Sequence, residues 1–380
     1  MSNNKTRLIL WTTIIVSLSF PVSICTAQRL EIIPKLSTSW QLDSNYYLAN
    51  DVEREVYTYK FQPGLNVDFE TAKTNLMLDY TLDAYYYNDI DSVPPGEQPT
   101  DDDDFVGHTL TAEARYQAFD RLLVGLNESY YKTRDPADSD IFSNSIDREK
   151  YYINQVTPLM VYDFGPKFSL RLRYRHTDIE YSSGSTEDSD ENRGLVNLVY
   201  NFTRRSSMDV EFQYWEKSYS AGTSDYTSNQ TKLIFRKQLR SFEISAGAGY
   251  QNRNFDDSGL DDIDVFTYNL GFDGQGMLAN RRTHISFNVE QNFNDQSVGN
   301  NYYTATRYIL RGGHEFSSRL SGDLEASYMT ADYENTNRDD DITEFSGTIG
   351  YKIARWLTFS VTGGIEERDS NISGLDYDNT

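Results

Sequence analysis

The chain of 380 residues has one cysteine, Cys25, and it falls inside an N-terminal stretch that reads as a cleavable leader. The remainder therefore has no disulfide to brace it and no thiolate for catalysis or metal binding. The four histidines, His108, His176, His284 and His314, are scattered and do not form a ligand set. After residue 27 no run approaches the roughly 20 apolar residues of a membrane helix. There is no glycine-rich phosphate loop between a strand and a helix, and no Gly-x-Ser-x-Gly elbow. Cations are also scarce: 35 Lys and Arg stand against 58 Asp and Glu, a net charge of −23 and a pI near 4.5. Nucleic acid is thus not an expected partner. No catalytic residue, cofactor or resident metal is expected.

What the chain does have is aromatic residues: 29 Tyr and 20 Phe in a sequence only 38% hydrophobic. Aromatic-rich yet polar on average is the composition of a barrel whose apolar face points outward. At the N-terminus, Lys5 and Arg7 precede the apolar stretch Leu8 to Phe20, and Cys25-Thr26-Ala27 supplies small residues for a signal peptidase. Residues 1–27 are read as a signal peptide and residues 28–380 as one domain.

That domain alternates with period two. Leu76, Leu78, Tyr80 and Leu82 alternate with Met77, Asp79 and Thr81, and Phe168, Leu170, Leu172 and Tyr174 with Ser169, Arg171 and Arg173. Met208, Val210, Phe212 and Tyr214 repeat the theme, as do Ile285, Phe287 and Val289. Period two puts one set on lipid and the other in a lumen. The connections sort as well. Short ones, such as Glu70–Thr74 and Arg355–Trp356, alternate with long acidic ones, such as Asn88–Phe105, Arg134–Asp147 and Glu334–Asp341. Gly274–Asn280 is a somewhat longer member of the short set. Short periplasmic turns and long outer loops are the asymmetry of bacterial outer-membrane barrels. The expected fold is all-β, a transmembrane antiparallel up-and-down β-barrel of 16 to 18 strands. Counting from Leu30 gives seventeen candidates, the last from Leu357 to Ile365, followed by a polar stretch to Thr380. Even strand numbers are the rule and an open edge in lipid is costly. The expectation is therefore 18 strands when complete, with the closing strand missing and the C-terminus truncated; the alternative is 16 strands and a tail.

The register nominates lumen residues. Arg171, Arg173 and Arg175, Lys232 and Arg236, and Arg307 and Arg311 form basic lanes opposite acidic faces such as Asp79 and Asp83, Asp209 and Glu211, and Asp323 and Glu325. Either these lanes guide an anionic polymer, or the charges pair across neighbouring strands. Tyrosine pairs stand beside outer loops: Tyr46 and Tyr47, Tyr86 and Tyr87, Tyr130 and Tyr131, and Tyr302 and Tyr303. One of each pair can join the interfacial girdle, and the other can face the mouth, where a ring could stack on sugar. Acidic loop runs such as Asp101 to Asp104 and Asp339 to Asp341 read as solvated, since none follows the order of a calcium loop. His284 and Ser286 share a face, but Ile285, Phe287 and Val289 claim the lipid side and turn both inward, away from a lipid substrate. Asn88–Phe105 is the one loop long enough to suggest an inward constriction.

Ile32-x-Pro34-x-Leu36, followed by Asp43-Ser44-Asn45, resembles the opening of the putative β-barrel porin 2 family, and Tyr59-x-Phe61-x-Pro63-x-Leu65 fits its second strand. That resemblance implies a non-enzymatic porin-like component of exopolysaccharide or capsule export in the bacterial outer membrane. It further implies polysaccharide and periplasmic export components as partners, beside the lipid and lipopolysaccharide that surround any such barrel. A general diffusion porin for small solutes, or a structural or adhesive barrel, are the alternatives.

Overall fold

A computed structural model describes residues 29–50, 53–90, 92–93, 99–134, 149–182, 186–275, 282–295, 302–334 and 336–379. The leader at 1–27, most of the loop Arg134–Asp147 and the later part of Gly274–Asn280 lie outside the described residues. Eighteen strands follow in chain order. The first six are β1 Arg29–Asp43, β2 Val56–Glu70, β3 Thr74–Asp89, β4 Phe105–Phe119, β5 Leu122–Thr133 and β6 Tyr151–Asp163. Next come β7 Phe168–Tyr181, β8 Ser189–Thr203, β9 Ser206–Tyr219, β10 Tyr226–Gln238, β11 Phe242–Phe255 and β12 Ile263–Gln275. The last are β13 Thr283–Asp295, β14 Tyr302–Glu315, β15 Leu320–Tyr333, β16 Asp339–Ala354, β17 Leu357–Ser370 and the short β18 Tyr377–Asn379. Each pairs antiparallel with the next, so the sheet is a meander that curls into a barrel.

The connections sort by end, as the sequence suggests. Residues 71–73, 120–121, 204–205 and 355–356 are tight turns on one rim, whereas β1 and β2, β3 and β4, and β5 and β6 are joined at the other. Side chains shape the tight rim: Thr71 Oγ1 accepts from the backbone N–H of Lys73 and Thr74, and Ser317 Oγ from those of Arg319 and Leu320. These hydroxyls replace backbone acceptors and let the chain reverse in a few residues.

Alternation along each strand separates the two faces. On β9, Val210, Phe212 and Tyr214 are 43%, 45% and 43% exposed, while Asp209 and Trp215 are buried. Leu30, Ile32, Leu36 and Trp40 on β1, and Phe345, Ile349 and Tyr351 on β16, continue the exposed belt. So large an apolar surface has lipid, not water, as its solvent.

Closure is incomplete. The edge of β1 away from β2 has no strand beside it among the described residues, and β17 meets β18 only from Glu366↔Asn379 to Arg368↔Tyr377. Both faces of β1 and of β17 are accordingly exposed over most of their length. Only the outer rim is stitched: the Asn45 N–H donates to Asn379 Oδ1 at 3.1 Å, and Asn45 Nδ2 to the Asp378 carbonyl at 3.0 Å. The polar stretch after Ile365 is thus not all loop: β17 runs on to Ser370 and β18 follows it.

A second irregularity lies between β12 and β13. Their pairing runs only from Gln275↔His284 to Asn269↔Glu290, although both strands continue outward. The outer half of the wall is split there.

Candidate functional site: the lumen and its outer mouth

Inward side chains change character with height. In the periplasmic half, Lys35, Glu70, Arg171, Arg173 and Glu243 are exposed to the lumen. Toward the outer rim their counterparts are buried: Val56, Tyr151, Ile153, Arg253, Tyr303 and Arg368 are all 2% exposed or less. The lumen is therefore open and polar below and filled above.

Most lumen cations sit against carboxylates. Arg175 and Arg193 converge on Glu191 at 2.7 Å and 2.9 Å. Arg307 meets Glu344 at 2.8 Å, and Arg311 grips Glu325 with two nitrogens at 2.8 Å and 3.1 Å. Lys232 stands 3.5 Å from Glu290, and Arg236 pairs with Asp209, as Lys35 does with Asp79. Such pairs keep buried charge compensated and tie one strand to another. Arg171 and Arg173 differ: among the described residues neither has an ion-pair partner. Beside them the inward neighbours are Val161 and Asn197 at Arg171, and Leu159 and Leu195 at Arg173, none of them charged. Of the predicted lanes, the structure thus leaves one pair of arginines uncompensated and places the other five residues in salt bridges.

The tyrosine pairs divide. Tyr86 is outward and 53% exposed, while Tyr87 turns inward and is buried. Tyr130 shares the outward face with Tyr152, their ring centroids 6.0 Å apart, which leaves Tyr131 inward. Tyr46 and Tyr47 lie beyond the end of β1. Tyr46 is buried against Val56 and Tyr87, and Tyr47 packs on its edge at 5.0 Å. Tyr302 and Tyr303 are both fully buried, so neither joins a girdle. The inward rings largely cover one another: Tyr85 stacks on Phe105 at 4.6 Å and on Tyr87 at 6.3 Å.

The loop from 90 to 104 lies against the mouth through its described part, a 3-10 turn at Thr100–Asp103. Arg134 Nη1 meets Asp103 Oδ2 at 2.8 Å, the Tyr47 hydroxyl donates to the same oxygen at 3.1 Å, and Tyr87 N–H donates to Asp104 Oδ1 at 2.7 Å. Burial, together with the Asp103 carboxylate, pushes the Tyr47 hydroxyl well above its ordinary range. Burial and the nearby Arg134 guanidinium draw the Lys150 ammonium down. The acidic run thus serves as acceptors for the rim: Glu187, from another acidic loop, likewise takes the N–H groups of Gly222 and Thr223.

A further inward packing comes from β13 and β14. By alternation Phe293 and Tyr302 share the lipid-facing side of β13 and β14 with Phe287 and Leu310. Instead they are 3% and 0% exposed and pack on Trp215 and Tyr226, inward residues of β9 and β10. The Arg253 guanidinium lies 3.9 Å from the Tyr226 centroid and 4.3 Å from that of Phe293, and its Nη2 donates to the Phe293 carbonyl at 3.2 Å. The Tyr302 hydroxyl donates to the Ser224 carbonyl at 3.1 Å. At the split the outer ends of β13 and β14, with β14 still laddered to β15 as far as Tyr303↔Tyr333, therefore turn inward onto the inner face of β9 to β11. The loop Asn88–Phe105, which suits an inward constriction or an exposed cap equally well, has residues 91 and 94–98 outside the described ones. Alternation reports which residues share a face, not whether the strand stays in the wall. His284 and Ser286 do face the lumen, with His284 Nε2 3.8 Å from Asp323.

Among curated proteins none matches the sequence. Solved structures match the fold. OccK2 (OpdF) of Pseudomonas aeruginosa aligns over 93% of this chain and 95% of its own at 11% identity, with a TM-score of 0.50. The same protein in complex with glucuronate gives the same figures. OpdK of that organism, solved with vanillate, is 11% identical over 93% of this chain and 96% of its own, with a TM-score of 0.49. At such identities the likeness speaks for the barrel fold alone. Residues 242–380 match the model of the family described as Putative beta-barrel porin 2; the matched part is the C-terminal one, not the opening motif that carries the resemblance in the sequence. With β1 to β17 each 12 to 16 residues long, an apolar outer belt and a polar lumen, the chain is a porin-like β-barrel of the outer membrane whose β11–β18 segment matches that family.

Proposed function

We propose that the barrel is a porin for small solutes, with a preference for those carrying a carboxylate. The observation that supports this reading is the contrast between the two halves of the lumen. Below, the lumen is polar and open, and two neighbouring cations without an ion-pair partner among the described residues, Arg171 and Arg173, stand on one strand. Above, the inward side chains are buried against one another, a narrowing that favours small molecules over an extended polymer. Export of surface polysaccharide, implied by the resemblance, would need that whole mouth cleared. A unit charge about 6 Å from a solute charge in a water-filled passage contributes roughly 0.7 kcal/mol before screening. Two adjacent arginines are therefore enough for a severalfold bias. The test is reversal potential in a planar bilayer under a salt gradient. Arg171→Glu with Arg173→Glu is expected to move selectivity toward cations severalfold with conductance of similar size. Unchanged selectivity would remove the carboxylate preference, and an insulating barrel would remove the porin reading.

A further inference from the structure

Charge is sorted between the two rims. Seven tight turns, at residues 71–73, 120–121, 164–167, 204–205, 239–241, 316–319 and 355–356, are described in full. Each carries a lysine or arginine, and together they hold eight exposed cations against one acid, Asp120. Among the described residues none of those eight side chains is in an ion pair. The opposite rim carries the acidic runs, such as Asp101 to Asp104, Glu187 with Asp188, and Asp256 with Asp257. A chain of net charge −23 thus keeps a basic collar at one end.

The collar lies at the level of lipid headgroups. Phe119, close to Arg121, is 72% exposed, and Trp356, next to Arg355, is 83% exposed. Phe202, before Arg204, packs edge-on against Tyr200, whose partner Phe168 belongs to the lipid-facing set. Phe316, before Arg319, packs in the same way on His314. Rings at the ends of membrane strands settle where hydrocarbon gives way to headgroups. The turns are too short to carry their cations elsewhere, since each residue advances the chain by at most about 3.6 Å. The cations are therefore held among lipid phosphates. By the sorting of the connections, that leaflet is the periplasmic one.

We propose that this collar binds anionic phospholipid headgroups of the periplasmic leaflet, with its cations on the phosphates and its rings at the edge of the hydrocarbon. Lys and Arg at a membrane surface are drawn to anionic lipid, whereas a protein partner would need them raised clear of the bilayer. The proposal does not depend on conductance, so it stands or falls apart from the porin reading. Residues 28–380 contain three tryptophans: Trp356 in the collar, Trp40 in the exposed belt near the other rim, and Trp215 buried in the lumen. Trp40→Phe and Trp356→Phe therefore each leave a lipid-facing probe at one rim only. Both variants are reconstituted in phosphatidylcholine vesicles with a minor share of phosphatidylglycerol, one or the other lipid being brominated, and quenching is measured. At Trp356 the phosphatidylglycerol is expected to be enriched about threefold over its share of the lipid, and at Trp40 not at all. Arg204→Gln, Arg205→Gln, Arg319→Gln and Arg355→Gln together, or roughly 1 M salt on the unsubstituted turns, are each expected to abolish that enrichment. If the fourfold variant does not insert, the salt series decides alone. Quenching of Trp356 without preference for phosphatidylglycerol, or a preference that survives loss of the arginines, overturns the collar. Equal enrichment at Trp40 overturns it as well, because the basic rim would then have no part in the effect.

Discussion

Asp340 makes the barrel sensitive to a single carboxylate. Its carboxylate is fully buried and accepts from Arg338 at 2.7 Å and Arg368 at 2.5 Å, whose side chains are 15% and 1% exposed. Arg368 lies on β17 beside Tyr377 of β18, with the guanidinium 5.9 Å from that ring. The cluster therefore fastens the last strands next to the unsealed seam. In Asp340→Ala, Arg338 can turn toward water, but Arg368 cannot. A buried charge stripped of its partner costs about 3–5 kcal/mol. Asp340→Asn keeps acceptors and shape, so roughly half that loss is expected. Replacing both partners, Asp340→Leu with Arg368→Met, removes the buried cation as well and is expected to recover most of it. The assay is equilibrium urea unfolding from lipid vesicles, read by tryptophan fluorescence. A loss below about 1 kcal/mol in Asp340→Ala, or a double variant as unstable as the single one, would refute the reasoning.

Two further substitutions test the wall itself. Phe212 lies on the exposed belt of β9, so Phe212→Arg should cost about 2–4 kcal/mol in the same unfolding assay if that face meets the bilayer interior; no change would put the face in water. A Cβ at Gly64 would come 2.5 Å from the Tyr80 carbonyl and 2.7 Å from the Lys35 side chain. Gly64→Ala is thus expected to destabilise by about 1–3 kcal/mol, and a neutral result would show that β2 and β3 can part at that rung.

Much of the barrel was legible because a strand in lipid has a strict period. Phe287 and His284 fall on opposite faces as their spacing requires, and the Thr71 and Ser317 turns sort to one rim. The salt bridges of the lumen were half legible. Sequence placed Arg307 and Arg311 inward and acids near them, but which acid each one meets depends on strand register: Arg311 meets Glu325 directly opposite on β15, whereas Arg307 reaches Glu344 on β16. Arg253 escaped notice. Alternation with Gln251 makes it inward, yet nothing local says that an inward arginine will be capped by rings from β10, β13 and β14.

By itself, the sequence determined the class of the fold, the two faces of each strand and the sorting of the turns. All three follow from period two and from local turn chemistry, which neighbours in the chain decide. Only the tertiary structure decided that the seam between β1 and β17 is unsealed below its rim and that the wall parts between β12 and β13. It also decided that Phe293 and Tyr302 meet Arg253, not lipid. Those outcomes depend on contacts between residues far apart in the chain. A period of two tells a side chain which face it shares, and only packing tells it what that face will touch.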